Sequence, residues 1–277
     1  MNHQLDSRLR HLRLSCMAAT LEVRNQEAVA ASLSYVEFLE LLVEDELNRR
    51  RDRLLARRIK KAGFPALKTL DDFDWGFNTS INKRQLFDLA TAGFIAKRQG
   101  IHLQGPPGVG KSHLAIAIGF RAIHVGYPVL YRSALDLLES LAEATALDER
   151  RAMIQELCQV PLLIIDDLGL NRTPPGAAQN LLEIFMRRYE KASTIVTSNR
   201  PIEDWGKLLG DAAIATAILD RFLHHAVVLT IKGRSYRLTK RPKAANPDLA
   251  GFHPPTTGWF CPPTETWSPP WAPPPCA

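Results

Sequence analysis

The sequence predicts an α/β fold in which a parallel sheet is flanked by helices and preceded by a small all-helical region. From about residue 100 onward, short apolar runs alternate with helical patterns, which is typical of β-α-β units. The string Gly-Pro-Pro-Gly-Val-Gly-Lys-Ser occupies residues 105–112, between a strand pattern and a helix pattern. Residues 1–63, in contrast, show helical periodicity and no strand run.

The strands and helices follow from hydrophobic spacing and from the residues that end each run. Several strand candidates are dense in Val, Ile and Leu, as expected for strands covered by helices on both faces. The predicted strands are residues 101–104, 129–132, 162–166, 194–198 and 226–231. The predicted helices are residues 6–25, 35–61, 83–98 and 134–157, the last broken near residue 147.

Composition shifts divide the chain into four regions. We expect residues 1–63 to form a helical N-terminal domain that binds DNA or a partner, and residues 64–99 to form a linker and a helix. Residues 100–241 are the expected core. Residues 242–277 hold eleven of the nineteen prolines, so we expect a disordered or polyproline-like tail, either idle or carrying a ligand motif.

The bulk composition excludes a transmembrane helix. The chain has 277 residues, of which 45% are hydrophobic, and no apolar run approaches the length that a bilayer requires. The N-terminus lacks the apolar centre of a secretion signal. Four cysteines without metal-ligand spacing are typical of free thiols in a reducing compartment. We therefore expect a cytoplasmic protein with no membrane partner.

Residues 105–112 predict a phosphate-binding loop. Gly105 and Gly110 permit backbone angles that let consecutive N–H groups face phosphate oxygens, and the following helix adds its positive N-terminal end. We expect Lys111 to reach the β- and γ-phosphates and the Ser112 hydroxyl to bind Mg²⁺. The predicted nucleotide-binding residues are Gly105, Pro106, Pro107, Gly108, Val109, Gly110, Lys111, Ser112 and His113.

Polar side chains follow two of the predicted strands. Asp166 and Asp167 end an apolar strand, which is the arrangement of a Walker B motif. We expect Asp166 to hold Mg²⁺ and Asp167 to orient or deprotonate the attacking water. Asn199 follows the next strand, where parallel sheets place their ligand crevice, and could bond the γ-phosphate or the water. None of the histidines is assigned a catalytic role, and His224 and His225 have no acid at ligand spacing.

A basic run stands out between Leu47 and Lys61. Eight basic residues accompany a single acid, Asp52, while apolar residues recur at helical spacing. A solvated helix face and a nucleic-acid contact both explain such a run, and the sequence leaves the two interpretations open. The candidate nucleic-acid-binding residues are Arg49, Arg50, Arg51, Arg53, Arg57, Arg58, Lys60 and Lys61.

The order of these motifs resembles that of the AAA+ ATPases, and more closely that of the IstB-type transposition helpers and their relatives, the DnaC-type helicase loaders. The motifs are the phosphate loop, Asp166-Asp167, Thr197-Ser198-Asn199, Leu219-Asp220-Arg221-Phe222 and Ser235-Tyr236-Arg237. Further segments resemble the IstB pattern, among them Asp71-Asp72-Phe73, Arg188-Tyr189-Glu190, His224-His225-Ala226 and residues 232–237. The similarity covers residues 5–241, nearly the whole chain except the tail.

This resemblance implies a P-loop NTPase core of the AAA+ type over residues 100–241, with a reduced C-terminal lid. It implies that Arg221 acts as an arginine finger toward a neighbouring subunit and that Arg237 contacts the γ-phosphate in its own subunit. It also implies ATP and Mg²⁺ as cofactors, a ring or helical homo-oligomer on double-stranded DNA, and a transposase as partner.

Three alternatives to a transposition helper remain at this point: a replicative helicase loader, a nucleotide-gated DNA scaffold and a small-molecule kinase. Most AAA+ proteins have Glu where this chain has Asp167, so we expect hydrolysis to be slow. That departure gives weight to the scaffold, in which turnover is incidental.

Overall fold

The computed structural model describes residues 3–146, 149–169 and 176–239, so the predicted proline-rich tail lies outside the described residues. The strands are β1 Ile101–Gln104, β2 Val129–Ser133, β3 Leu162–Leu168, β4 Ser193–Ser198 and β5 Val227–Thr230. The first helices are α1 His3–His11, α2 Ser15–Ala30, α3 Tyr35–Ala62, α4 Lys83–Ala90, α5 Gly93–Ala96 and α6 Lys111–Val125. The later ones are α7 Ala134–Ala146, α8 Arg150–Gln159, α9 Ala177–Arg188, α10 Trp205–Leu209, α11 Ala212–His224 and α12 Tyr236–Thr239.

The five strands form one sheet in the order β2-β3-β4-β1-β5, and every pairing is parallel. Two hydrophobic clusters, one containing Ile101 and Leu103 and the other containing Leu163 and Val196, pack the helices onto the sheet. The predicted α/β fold with a parallel sheet between helices is confirmed. Because β1 lies between β4 and β5, the carboxyl ends of β1, β3 and β4 open onto a common crevice.

Two predicted helices are each broken in two, so these predictions were wrong. Arg13 has φ 59°, and the amides of Arg13 and Leu14 bond back to Arg10 and Leu9, which is a Schellman ending between α1 and α2. Ala92, with φ 61°, separates α4 from α5 in a similar left-handed turn. Glycine usually marks such an ending, and neither position has one.

Helix α3 begins and ends at clear local signals. The Ser34 hydroxyl accepts the Glu37 amide while the Glu37 carboxylate accepts the Ser34 amide, which is a capping box. Gly63 ends the helix with φ 74°. Helix α2 has no local cap, and the buried Glu46 carboxylate of α3 accepts the amides of Cys16 and Met17 in its first turn.

Candidate functional site

The phosphate loop joins β1 to α6 as the motif predicts. The Lys111 side chain is buried, and its Nζ donates to the carbonyl oxygens of Gly105 at 2.8 Å and Pro106 at 2.9 Å. Burial lowers the pKa of the Lys111 ammonium, and the carboxylates of Asp167 and Asp166 oppose that shift. The ammonium therefore lies folded against its own loop, where an incoming phosphate could take over its hydrogen bonds.

Two glycines of the loop are required by close contacts. Gly108 has φ 80°, and a Cβ there would lie 2.1 Å from the Ser235 hydroxyl oxygen. Gly110 has φ 102°, and its Cβ would lie 2.7 Å from the ring of Phe73. The loop is thus clasped between the segment before α12 and the linker before α4. The Tyr236 amide adds a hydrogen bond of 2.9 Å to the Gly108 carbonyl.

The two acids at the end of β3 have different environments. Asp166 is buried, and its two carboxylate oxygens accept hydrogen bonds from the hydroxyls of Tyr131 and Thr197. Asp167 is half-buried with φ 57°, and its amide donates to the Thr197 hydroxyl at 2.8 Å. Burial and then the charge of Asp166 raise the pKa of the Asp167 carboxyl, while Lys111 and Arg237 oppose that rise.

A cavity of about 380 Å³ lies over the phosphate loop and brings most of the predicted site together. Its polar wall contains Asp167, Asn199 and Arg237 around Lys111 and Ser112. Pro107, Gly108, Val109, Gly110 and His113 also line it. Four predicted catalytic or nucleotide-binding residues do not line it: Gly105 and Pro106 offer carbonyls to Lys111, Asp166 is buried beside Asp167, and Arg221 borders a different cleft.

The opposite wall of the cavity comes from the linker, which the sequence did not assign to the site. Phe73, Phe77 and Asn78 line it, and Tyr236 faces Phe77 with ring centroids 5.0 Å apart. His113 fixes this wall to α6, because its Nε2 donates to the Thr69 carbonyl at 2.8 Å. The signal available in the sequence was the mixture of acids and aromatics between Lys68 and Asn78.

Arg221 lies away from this cavity, at the other end of the sheet. It borders a small cleft with Gly100 and Thr194, which stand at the beginnings of β1 and β4, whereas the phosphate loop follows the end of β1. Its guanidinium bonds the Ala217 carbonyl of its own helix at 3.2 Å. Arg221 therefore cannot reach a nucleotide in its own subunit, and a role toward a second subunit stays a prediction.

The surface beside Arg221 brings together side chains that the sequence did not connect. The His225 Nε2 lies 3.5 Å from the Glu190 carboxylate. Ligand atoms of the exposed side chains of Glu190, His224 and His225 all lie within 4.8 Å of one another. The Tyr189 hydroxyl also bonds the His224 Nδ1 at 2.9 Å. Glu190 is 34 residues before His224 in the chain, so local spacing could not indicate the pairing.

The basic run forms the second half of α3. At about 100° per residue, Arg51 and Arg58 leave the sector of about 120° that the other basic residues share, so the eight residues do not lie on one side. Arg50 bonds Glu46 and the Arg13 carbonyl, and Lys61 lies 3.8 Å from Glu156. The contact with nucleic acid stays a prediction, carried chiefly by Arg49, Arg53, Arg57 and Lys60.

The sheet order, the clasped phosphate loop and the acids beside it define a P-loop protein with an AAA+ core. The family model described as IstB-like ATP binding protein matches residues 7–244, and the chain belongs to that family. It is 38% identical to a protein named as the ATP-binding protein of insertion sequence IS21 from Pseudomonas aeruginosa, over 87% of this chain and 91% of that protein.

A second relative agrees with this assignment, and a solved structure agrees with the fold. The chain is 36% identical to the corresponding protein of insertion sequence IS5376 from Geobacillus stearothermophilus, over 87% of this chain and 96% of that protein. A solved structure of DnaI shares the fold, with a TM-score of 0.51 and 23% identity over 59% of this chain and 90% of that chain. Among the described residues, no helix is both long and apolar enough to cross a bilayer.

Proposed function

We propose that the chain binds ATP with Mg²⁺ in the cavity over the phosphate loop. The observation that carries the proposal is the convergence of Lys111, Ser112, Asp167 and Arg237 on one 380 Å³ space at the N-terminus of α6. Two cations and a helix N-terminus favour a polyanion, and the loop amides provide donors for its oxygens. Membership of a family of ATP-binding proteins supports ATP as that ligand.

The residues present suit a magnesium ion between the triphosphate and the end of β3. The Ser112 hydroxyl and the Asp167 carboxylate are oxygen ligands of the kind Mg²⁺ prefers, and both line the cavity. Asp166 would act from a position behind Asp167, since both of its carboxylate oxygens already accept hydrogen bonds from hydroxyl groups. The ion would neutralise charge that develops on the phosphates.

Hydrolysis is the reaction that this arrangement supports best. Asp167 lies in the cavity, where its carboxylate offers an acceptor for the proton of an attacking water. Asn199 offers an amide to orient that water, and Arg237 offers a fixed charge for the γ-phosphate. The carboxylate of Asp is one methylene shorter than that of Glu, so we propose slow turnover.

We further propose that ATP joins two copies of the chain and that the oligomer assists a transposase on double-stranded DNA. Arg221 does not line the cavity of its own chain, which supports a role toward the nucleotide of a second subunit. The exposed cations of α3 offer a surface for the DNA backbone. The relatives encoded in insertion sequences favour a transposase as the partner over a replicative helicase.

A subunit-mixing experiment tests the shared site. Lys111→Ala should abolish binding of a fluorescent ATP analogue, and Arg221→Ala should preserve that binding while abolishing hydrolysis. A mixture of the two variants should regain hydrolysis, because a Lys111→Ala subunit can donate its intact Arg221 to the nucleotide held by an Arg221→Ala subunit. Electron microscopy with duplex DNA, with and without ATP, should show nucleotide-dependent rings or filaments. Monomers under every condition would refute the assembly.

The nucleotide-gated scaffold is a second candidate, favoured by the short Asp167 carboxylate. Asp167→Ala separates the two functions. If this variant loses hydrolysis but still assembles on DNA and supports transposition, the scaffold is the correct function. If assembly or strand transfer also fails, the ATPase function stands. Capture of a replicative helicase instead of a transposase would identify a helicase loader.

A further inference from the structure

The side chain of Thr197 contacts both acids of the site. It lies fully buried on β4, beside the end of β3. Its hydroxyl donates to the Asp166 carboxylate at 2.5 Å and accepts the backbone N–H of Asp167 at 2.8 Å. The same hydroxyl group thus donates a hydrogen bond to the Asp166 carboxylate and accepts one from the backbone amide of Asp167.

Tyr131 holds the other oxygen of Asp166. The Tyr131 hydroxyl on β2 donates to the Asp166 carboxylate at 2.7 Å. With one hydroxyl on each oxygen, the plane of the Asp166 carboxylate is fixed from the strands on both sides of β3.

The bond from the Asp167 amide to Thr197 matters because Asp167 has an unfavourable backbone conformation. Its φ of 57° lies in the left-handed region, which non-glycine residues rarely adopt and which needs support from surrounding contacts. That turn directs the Asp167 side chain into the cavity with Asn199 and Arg237. Without an acceptor for its amide, Asp167 would lose the contact that holds this turn.

We infer that Thr197 is a positioning residue for ATP hydrolysis, which aligns Asp166 and Asp167 through one hydroxyl group, with Tyr131 completing the alignment of Asp166. The inference rests on the proposed hydrolysis. Neither residue lines the cavity, so neither touches the nucleotide directly. Their removal should therefore slow the chemical step and leave nucleotide affinity unchanged.

The test uses the full chain with three substitutions on β4. Thr197→Val has the same shape and lacks the hydroxyl, whereas Thr197→Ser keeps the hydroxyl. Thr194→Val is the matched control, because Thr194 is also buried on β4 and accepts a bond from Arg188 at the far end of the strand. Tyr131→Phe, compared with Tyr127→Phe, removes the second hydroxyl independently should Thr197→Val fail to fold.

We expect Thr197→Val to lower kcat about 100-fold while KM for ATP changes less than about threefold. The reason is that misaligned carboxylates slow the chemical step but do not weaken nucleotide binding. Thr197→Ser should recover most of the rate, and Tyr131→Phe should raise the Mg²⁺ concentration needed for half-maximal hydrolysis. Both controls should hydrolyse ATP like the wild type.

The outcomes separate this inference from the function on which it rests. If the wild type binds ATP but never hydrolyses it, with or without DNA, the proposed hydrolysis is wrong. If the wild type hydrolyses ATP and folded Thr197→Val does so equally well, the positioning role is wrong. Equal losses in Thr197→Val and Thr194→Val, or failure of Thr197→Ser to restore the rate, would indicate a purely structural role and overturn the inference.

Discussion

A buried histidine in the central strand predicts that the fold loses stability in mild acid. His102 on β1 is fully buried, and among the described residues neither ring nitrogen has a hydrogen-bond partner. The rings of Trp205 and Phe222 meet it edge-on, with centroids 5.7 Å and 6.1 Å away. Burial lowers the pKa of His102 to about 4. The folded protein therefore holds this imidazole neutral at pH values where the unfolded chain protonates it.

The size of the effect follows from the difference between the two pKa values. The unfolded value is about 6.5, so the shift is about 2.5 units at about 1.4 kcal/mol per unit. Because the folded pKa is the lower one, this stability is complete above pH 6.5 and declines as the pH falls toward 4. Between pH 7.5 and pH 5.0, His102 alone should remove about 2 kcal/mol from the free energy of unfolding.

Urea unfolding at the two pH values, followed by circular dichroism, measures this loss. His102→Phe keeps an aromatic ring between Trp205 and Phe222 and cannot titrate, so its loss should be smaller than that of the wild type by about 2 kcal/mol. His11→Ala removes an exposed histidine from α1 and is the control, expected to lose as much as the wild type. An equal loss in His102→Phe and the wild type would refute the reasoning.

Three further predictions address the loop, the N-terminal helices and the basic surface. Gly108→Ala should weaken ATP binding at least tenfold, because the new Cβ would overlap the Ser235 hydroxyl at 2.1 Å, as a fluorescent-ATP titration would show. Glu46→Ala should lower the free energy of unfolding by about 1–3 kcal/mol, since α2 loses its cap, as urea unfolding would show. Replacing Arg53 and Arg57 together by Ala should reduce the slope of log affinity for DNA against log salt by about 2, measured by fluorescence anisotropy.

Each of these has a matched control. Gly210 has a similar φ of 71°, but a Cβ there would meet no atom within 4 Å, so Gly210→Ala introduces backbone strain without a clash. If Gly108→Ala and Gly210→Ala bind ATP equally well, the clash with Ser235 is not the cause of weaker binding. Glu44→Ala removes an exposed carboxylate from the same helix as Glu46, and an equal loss of stability would exclude the capping role. Arg84 lies on α4 and is replaced by Ala as the control. If Arg84→Ala changes the salt slope as much as the double substitution on α3, then α3 is not the DNA contact.

The parts of the fold that sequence could predict are those whose signals are local. The strand at residues 101–104 was predicted to the residue, because an apolar run leads directly into a loop of fixed spacing. The acids at 166–167 followed from the apolar strand before them, although β3 continues through Leu168. Strand β2 extends one residue beyond its predicted end, and β5 is shorter than predicted by one residue at each end, where hydrogen bonds with the neighbouring strand decide the limit.

The parts that could not be predicted depend on tertiary contacts. Arg13 and Ala92 occupy left-handed turns that the sequence does not mark, because neither is a glycine. Phe73 belongs to the cavity only because the linker folds across Gly110, 37 residues further on. The bonds from Tyr131 and Thr197 to Asp166 join three strands that are adjacent in the sheet and distant in the chain, so no spacing rule could have found them.

The same contacts connect the basic helix to the acids of the site by a short physical route. Helix α3 ends at Gly63, and the next residue, Phe64, meets the ring of Tyr131 edge-on at 6.1 Å. Tyr131 in turn holds the Asp166 carboxylate. Two side chains therefore span the distance from the end of the proposed DNA-binding helix to the proposed Walker B acid. Pro65, the residue after Phe64, lines the cavity, so a displacement of α3 by a bound partner would reach the site both through Tyr131 and through this wall of the cavity.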